Sequence, residues 1–328
     1  MNNNSPHTID EIKSFISDDL QALNRHIKES VKSTNRLLNM VTSYMIKTKG
    51  KQIRPMFVCL SARMFNNTNE RTQRAATLIE LLHSATLIHD DVVDEADYRR
   101  SWFSIKGLWK NKISVLVGDY VLSRGMLLAL ENKDYNMLEV VSRAVKQMSE
   151  GELLQLEKSR MLNLDEKVYE EIIRQKTASL IAACCAAGAL SAGASTEEAD
   201  RMWLAGEKAG MAFQIKDDIL DFTSVKSGKA KAGDIKEQKL SLPFIYTIKN
   251  SGIIEKRRLI NIVKNKSKSD KNISYLIDAV VGGGGLDFAV EKMSSYVSDA
   301  HKLLNGFPES ESKKYLSSLI SYVTERQH

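Results

Sequence analysis

Apolar residues recur every three or four positions along nearly the whole chain, which is the period of an amphipathic α-helix. The tract at 75–97 is apolar on several faces, as expected of a helix buried inside a bundle. The other predicted helices lie at about 9–38, 53–65, 112–131, 135–160, 166–191, 196–223, 240–250, 254–266, 270–281, 286–304 and 310–326. Strand alternation is not evident. The pattern therefore predicts an all-α protein, built as a large helical bundle.

Two polar stretches interrupt this pattern in the second half of the chain. Residues 224–238 are lysine-rich and contain two glycines, which is typical of a mobile flap between helices. The four glycines at 282–285 separate the final helices from the body. Neither stretch is long enough to divide two domains, so we expect one domain over residues 1–328, with residues 1–8 disordered.

Charge and cysteine content narrow the function class. A net charge of +6 and a pI of about 9.0 suit an anionic ligand or a membrane surface. The chain has no arginine-rich tract or aromatic-interleaved basic stripe, so nucleic acid is not an expected partner. The three cysteines lack metal-ligand spacing, which favours a reduced, cytoplasmic location.

The most membrane-like stretch lies at 178–194 and is short and dominated by alanine, glycine, serine and cysteine. That composition favours a central helix packed closely against its neighbours. The first seven residues are polar and do not form a secretory signal. We therefore expect no membrane-spanning segment.

Two aspartate clusters of the same form, DDVVD at 90–94 and DDILD at 217–221, are the main candidate chemistry. On a helix, residues four apart share a face, so the first and last aspartates of each cluster project together. Carboxylates crowded beside apolar residues need a positive charge between them. Mg²⁺ takes carboxylate oxygens and keeps water or phosphate oxygens as its other ligands. The clusters predict a magnesium site for a polyphosphate, whereas two solvated acidic helix ends are the less favoured interpretation.

The order of several motifs resembles the trans-polyprenyl diphosphate synthases. These motifs are GKQIRP at 50–55, HDDVVD at 89–94 followed by Arg99 and Arg100, KT at 176–177, FQIKDDILD at 213–221, GK at 228–229 and KLSLP at 239–243. The resemblance covers roughly residues 47–245. It implies a helical bundle of the isoprenoid-synthase type with a central active-site cavity. It also implies a prenyltransferase that condenses isopentenyl diphosphate head to tail with an allylic diphosphate.

The resemblance also implies a role for each motif. About three Mg²⁺ ions would be held by Asp90, Asp94, Asp217 and Asp221, with Asp91 and Asp218 in support. The allylic diphosphate would be bound by Arg99, Lys176, Lys229 and Lys239. Isopentenyl diphosphate would be bound by Lys51, Arg54, His83 and Arg100. Thr177 and Gln214 would line the reacting centre, and closure of the flap would exclude water.

The departures from the family pattern are small. Gln52 stands where a second basic residue is common, Lys216 replaces an often apolar residue, and Gln238 stands where glycine is usual. None of the three is an expected magnesium ligand, so they do not put activity in doubt.

Product length is predicted from side-chain volume. The growing tail is expected to pass the residues one and two turns before the first cluster, which are Ala85, Thr86, Leu81 and Leu82. In short-chain members, as the resemblance implies, an aromatic residue near the first pair closes the tunnel. The small side chains here predict an all-trans product of about thirty to fifty carbons. The open alternative is a farnesyl or geranylgeranyl synthase, with Met126 or Leu127 as the floor.

Other classes fit less well. A terpene cyclase usually carries Asn-Asp-x-x-Ser-x-x-x-Glu as its second motif, and this chain has a second DDxxD. A head-to-head synthase would need a reductive or cyclopropyl step, and the chain has no nucleotide-binding fingerprint. A non-catalytic partner subunit would tend to lose aspartates or basic residues that this chain retains. We expect a homodimer through residues 112–150 and 178–194, and a basic surface suited to anionic lipid during product release.

Overall fold

The structure, a computed structural model, describes residues 7–48, 50–99, 102–161, 165–226, 241–266 and 269–325. Helices occupy most of these ranges, which confirms the all-α prediction. They are α1 (Ile9–Phe15), α2 (Ser17–Ser30), α3 (Arg36–Lys47), α4 (Ile53–Arg63), α5 (Glu70–Val93), α6 (Ile105–Glu131), α7 (Tyr135–Met161), α8 (Glu166–Ile173), α9 (Ser179–Ser191), α10 (Thr196–Lys226), α11 (Leu242–Asn250), α12 (Ile253–Asn261), α13 (Asp270–Gly282), α14 (Gly285–Asn305) and α15 (Glu311–Glu325). Between α5 and α6, β1 (Tyr98–Arg99) pairs antiparallel with β2 (Trp102–Phe103).

Helix α9 lies at the centre of the bundle, and every residue of it is buried. Its small side chains let the neighbouring helices approach closely. A Cβ on Gly188 would lie 2.3 Å from the Val58 carbonyl oxygen of α4, and one on Gly206 of α10 would lie 2.8 Å from Ala182 Cα. The expectation of a closely packed central helix is confirmed. Residues 178–192 are buried within one chain, so only Gly193 and Ala194 of the stretch predicted to contribute to a dimer interface are accessible to a partner.

Several element boundaries differ from the sequence pattern. The tract predicted as one helix at 9–38 is broken at Ile16 and again between α2 and α3. The helix predicted at 75–97 begins at Glu70, capped by the Asn69 side chain, and ends at Val93. The hairpin of β1 and β2 was not predicted, because two-residue strands are too short to show alternation.

Two residues of the segment predicted to be disordered, 1–8, make defined contacts in the structure. Thr8 accepts a hydrogen bond from the Glu11 N–H at 3.3 Å and so caps α1. The His7 N–H donates to Ser318 Oγ at 3.0 Å, and its ring stacks on Tyr315. The prediction is therefore wrong for His7 and Thr8, and residues 1–6 lie outside the described ranges.

Helix α6 is kinked at Lys110, whose φ is 68° and ψ 171°. This region is almost confined to glycine, because a Cβ clashes with the backbone there, and it costs other residues about 1–3 kcal/mol. The kink joins a short N-terminal segment to the long body of the helix. It explains why regular apolar periodicity predicts this helix only from residue 112.

Substitution Lys110→Gly is expected to raise the free energy of unfolding by about 1–2 kcal/mol, because glycine adopts this backbone conformation without strain. The higher conformational entropy of glycine in the unfolded chain offsets part of this gain. The measurement is the urea unfolding midpoint. The matched control is Lys110→Ala, which removes the same exposed charge and keeps the Cβ. Equal stabilisation by both variants would assign the gain to the charge and contradict the strain argument.

Candidate active site

The first aspartate cluster lies at the C-terminal end of α5. Asp90 and Asp91 are in the last turn, and Asp94 is the C-cap, with its N–H bonded to the Asp90 carbonyl at 2.8 Å. The C-terminal end of a helix carries partial negative charge, and the last turn of α5 has no basic residue to offset it. Loss of hydration raises the pKa of Asp90, and the nearby carboxylates of Glu152 and Asp94 raise it further against the opposing effect of Lys176. This concentration of negative charge fits a cation site.

Asp91 has a different environment from Asp90. It is 4% exposed, its Oδ1 accepts from Arg99 Nε at 2.9 Å, and Nη2 of the same guanidinium forms an ion pair with that oxygen at 2.9 Å. The hairpin holds Arg99 in place, because Arg99 is paired with Trp102 in the ladder. Asp91 therefore anchors a guanidinium beside the cluster.

Lys176 and Thr177 lie in a π-helical turn at 174–178 that divides the helix predicted at 166–191. Such π turns are frequent at functional sites because they redirect side chains. Helix α7 approaches this turn closely at Gly151, where a Cβ would lie 2.8 Å from the Lys176 backbone nitrogen. The Lys176 ammonium forms an ion pair with Glu152 and donates to Gln155 Oε1 at 3.2 Å. The turn thus holds a cation beside Asp90.

The second cluster lies in the body of α10, where Asp217 and Asp221 are half-buried and Asp218 is 5% exposed. Asp218 is surrounded by donors. The Tyr169 hydroxyl donates to its Oδ2 at 2.7 Å, the Leu242 N–H donates to the same oxygen at 2.9 Å, and Gln214 Nε2 donates to Oδ1 at 3.2 Å. Asp218 is therefore a structural anchor that fixes α8 and the start of α11 on α10.

Gln214 connects this anchor to the π turn. The Thr177 hydroxyl donates to Gln214 Oε1 at 2.8 Å, so Thr177, Gln214 and Asp218 form one hydrogen-bonded chain. The structure thereby brings together residues that the resemblance places at the reacting centre. This series of hydrogen bonds fixes the orientation of the Thr177 and Gln214 side chains.

A cavity of about 550 Å³ lies between α3, α4, α5 and the hairpin. Its lining includes Lys51, Arg54 and His83, which are the described residues expected to bind isopentenyl diphosphate. Lys51 and Arg54 flank the start of α4, where helix geometry exposes backbone N–H groups suited to an anion. Arg99, assigned by the resemblance to the allylic half, lines the same cavity, as does Thr177.

Three predicted site residues lie outside the described ranges. They are Arg100, Lys229 and Lys239. The predicted flap at 224–238 also lies outside them, apart from its first three residues, which extend α10 to Lys226.

The predicted chain-length residues lie on α5, on the face opposite the cavity. Leu81, Leu82 and Ala85 are buried and Thr86 is half-buried. The α5 residues that line the cavity are Glu80, His83, Ser84, Leu87, Ile88 and Asp91. A tail that passes Ala85 therefore needs its own channel between α5 and α6. Gly125 of α6 lies there, and a Cβ on it would be 3.5 Å from Leu81 Cβ.

The alternative floor residues, Met126 and Leu127, are 38% and 42% exposed. They lie on α6, next to the glycine that contacts α5. Their exposure gives no support to a role as a closed tunnel floor within one chain.

Sequence reasoning missed Tyr169, Gly151, Glu152 and Gln155. Tyr169 carries no signal in the sequence, because its partner Asp218 is 49 positions away. Gly151 stands inside a predicted helix, and a glycine there costs helix stability, so it could have indicated a close approach.

Within the described ranges, no three carboxylate, imidazole or thiol groups lie close enough to enclose one metal ion. Mg²⁺ is usually held by one or two carboxylates plus phosphate oxygens and water. The carboxylates of Asp90 and Asp94 on α5 and of Glu152 on α7 are donors of this kind.

Substitution Tyr169→Phe is expected to lower kcat about tenfold and the free energy of unfolding by about 1–3 kcal/mol, because Asp218 loses a buried hydrogen bond. The KM for isopentenyl diphosphate is expected to stay unchanged, since Tyr169 lies outside the cavity lining. Steady-state kinetics and urea unfolding measure both effects. The matched control is Tyr296→Phe, which removes a 3.0 Å hydrogen bond to Glu170 and should cost stability without lowering kcat. Equal kcat losses in both variants would contradict a positioning role for Tyr169.

Comparison with known proteins gives one consistent result. A sequence profile of the family described as polyprenyl synthetase matches residues 35–280. Heptaprenyl diphosphate synthase component 2 of Geobacillus stearothermophilus is 32% identical over 96% of this chain and 98% of that protein.

Two solved structures agree with the whole fold. The polyprenyl synthase of Caulobacter crescentus CB15, complexed with calcium and isoprenyl diphosphate, superposes with a TM-score of 0.89 at 31% identity, over 99% of both chains. A decaprenyl diphosphate synthase of Rhodobacter capsulatus superposes with a TM-score of 0.92 at 30% identity, over 98% of this chain and 100% of that one.

Proposed function

Because this chain belongs to the polyprenyl synthetase family, we propose that its two aspartate clusters and the adjoining cavity bind the two diphosphates that the enzyme joins. The chain is a prenyltransferase that adds isopentenyl diphosphate head to tail to an allylic diphosphate and makes all-trans products of C30–C50. The observation that carries the site proposal is the placement of Lys51, Arg54 and His83 in one cavity that also reaches Thr177.

The allylic half of the site is assigned to the two clusters. Mg²⁺ bound by Asp90, Asp94, Asp217 and Asp221 would neutralise the charge that develops on the departing diphosphate. Lys176, held by Glu152 and Gln155, places a further cation beside that charge. Asp91 and Asp218 keep Arg99 and Gln214 in position. A site so fixed in advance stabilises the ionised state without reorganisation.

The proposed reaction joins the two substrates in three bond changes. The allylic C–O bond breaks, and its electron pair leaves with the diphosphate. The double bond of isopentenyl diphosphate attacks the resulting carbocation and forms the new C–C bond. The departing diphosphate then accepts the proton that is lost, which restores an allylic product. Thr177 and Gln214, joined by a 2.8 Å hydrogen bond, orient polar groups at this centre.

Substitution Lys51→Ala is expected to raise the KM for isopentenyl diphosphate by about 10- to 100-fold with little change in kcat, because it removes a charge-assisted contact to the bound diphosphate. Initial rates at varied isopentenyl diphosphate measure the effect. The matched control is Lys47→Ala, since Lys47 is exposed and does not belong to the cavity lining. A KM that changes equally in both variants would contradict the assignment of this cavity.

We propose that the chain forms a homodimer through the outer faces of α6 and α7. Leu116, Leu127 and Leu130 of α6 are 58%, 42% and 46% exposed, and Leu153 of α7 is 67% exposed. In the described part of the chain, α6 is the one single helix that is long and apolar enough to cross a membrane by length and composition, and α13 and α14 pass the same test only when they are taken together across a bend of 61°. A second copy would cover this face. Sedimentation equilibrium tests the proposal, and a monomer at micromolar concentration would contradict it.

The cytoplasmic location stays a prediction.

The overall proposal is tested with purified protein, Mg²⁺, farnesyl diphosphate and labelled isopentenyl diphosphate, followed by mass measurement of the products. A ladder of products ending at a discrete long chain is the expected result. A cyclic hydrocarbon with released pyrophosphate would contradict it. Turnover that begins only after a second, different chain is added would place the protein with two-component enzymes, as the name of its Geobacillus stearothermophilus relative describes.

A further inference from the structure

Two adjacent isoleucines project from the start of α12. Ile253 is 74% exposed and Ile254 is 86% exposed. In the part of the chain that the structure describes, Val93 is exposed to a similar degree, at 73%, but no other two adjacent large apolar side chains are. Single exposed apolar residues are ordinary, but two neighbours exposed to this degree at a helix start mark a place for an apolar partner.

Three exposed cations flank the isoleucines in the sequence. Lys249, Lys256 and Arg257 are exposed within four residues of the pair on either side. The acidic residue of the same turn, Glu255, is turned toward the protein, where its Oε1 accepts from the Tyr275 hydroxyl at 2.6 Å. The local surface is therefore apolar at its tip and positively charged around it.

The side of α12 opposite the isoleucines is packed against the protein core. On the inner side of α12 and the turn after it, Leu259, Ile262 and Val263 are 0%, 5% and 4% exposed. The Arg258 guanidinium stacks over the Tyr275 ring at 3.8 Å, which ties α12 to α13. The protein therefore holds the two isoleucines outward on a helix whose opposite side is part of a core.

We propose that Ile253 and Ile254, with Lys249, Lys256 and Arg257, form a docking tip for an anionic lipid membrane. Apolar side chains that enter the headgroup boundary and cations that meet anionic lipid are the two components of such binding. The charge complementarity selects a lipid surface over a neutral apolar partner. The role of this membrane contact rests on the proposed function, since a product of thirty or more carbons is released more readily into a lipid bilayer than into water.

Helix α11 joins this tip to the second aspartate cluster. Its first residue, Leu242, donates its N–H to Asp218, and its last residue, Asn250, lies three positions before Ile253. Nine helical residues span about 13 Å. A membrane contact at the tip is thus one rigid helix away from the anchor of the active site.

The test is flotation of the full chain with lipid vesicles. Wild-type protein is expected to float with vesicles that contain about one-third phosphatidylglycerol, to remain below with pure phosphatidylcholine, and to dissociate at high salt. The double variant Ile253→Asn with Ile254→Asn is expected to bind at least tenfold more weakly, and Lys256→Gln with Arg257→Gln several-fold more weakly. The matched control is Val290→Asn, which alters a side chain of α14 that is 45% exposed and should leave binding unchanged.

Three results would overturn the docking tip. They are no binding of the wild type to anionic vesicles, equal binding by the isoleucine variant and the control, or equal binding to neutral and anionic vesicles. Elongation in detergent micelles is measured in parallel and is expected to be the same in all variants. A failure of elongation in the wild type contradicts the catalytic proposal and is recorded separately from the vesicle result.

Discussion

Substitution Asp90→Asn is expected to lower kcat for chain elongation by about 10³-fold or more, because it removes a carboxylate that would hold a cation at the departing diphosphate. The amide keeps the size of the side chain, so the loss is one of charge. The free protein is expected to unfold at the same or a higher temperature, since the change relieves repulsion from Asp94 and Glu152. Loss of activity without loss of stability separates a site residue from a structural one.

The measurement is a single-turnover rate with a labelled allylic substrate, together with thermal unfolding of the free protein. The matched control is Asp299→Asn on α14, whose carboxylate lies 2.9 Å from the Lys302 ammonium on the surface. The control is expected to keep kcat within about twofold, as surface ion pairs contribute little. A kcat for Asp90→Asn within tenfold of the wild type would remove this residue from the proposed magnesium site.

Substitution Ala85→Phe is expected to shift the product from the long-chain range to shorter chains, because the phenyl ring would fill the space through which the tail is predicted to grow. One helical turn advances about 5.4 Å, which is close to the length of an extended five-carbon unit. A phenyl ring at position 85, about one turn N-terminal to Asp90, should therefore stop elongation after few additions of isopentenyl diphosphate. Mass spectrometry of the products measures the shift, and a graded series of Ala85→Val, Ala85→Leu and Ala85→Phe should shorten them stepwise.

The matched control for Ala85 is its neighbour Ser84, which lines the cavity on the other face of α5. Ser84→Phe is expected to raise the KM for isopentenyl diphosphate and to leave the chain length of the residual product unchanged. Because Ala85 and Ser84 lie on opposite faces of α5, the two variants distinguish an effect on product length from an effect on substrate binding. Unchanged product length in the whole Ala85 series would show that the tail does not pass this face.

The hydrophobic period predicted most helices because burial of an apolar face decides helix formation, and that face is visible in the sequence. The hydrophobic period did not predict the structure where the local backbone departs from a regular α-helix. The π turn at 174–178 keeps a helical pattern of side chains while it redirects Lys176 and Thr177. The strained conformation of Lys110 is invisible in the sequence, because lysine gives no signal of a positive φ.

The candidate site was predicted in its composition but only partly in its geometry. Motif order identified both aspartate clusters, and the structure shows a hydrogen bond between Thr177 and Gln214, the two residues predicted to line the reacting centre. The chain-length residues could not be placed relative to the cavity from sequence. Which face of α5 meets which neighbour depends on how α3, α4 and α6 pack around it.

The sequence by itself determined the helical class and the family, because both are carried by local patterns and by the order of motifs. Only the tertiary structure decided what each carboxylate does. Asp91 is committed to Arg99 and Asp218 to Tyr169, Gln214 and Leu242, whereas Asp90 lies beside the carboxylates of Asp94 and Glu152. The physical reason is that a carboxylate's role depends on which donors and charges lie within a few ångströms, and packing brings those groups together from positions as far apart as 49 residues.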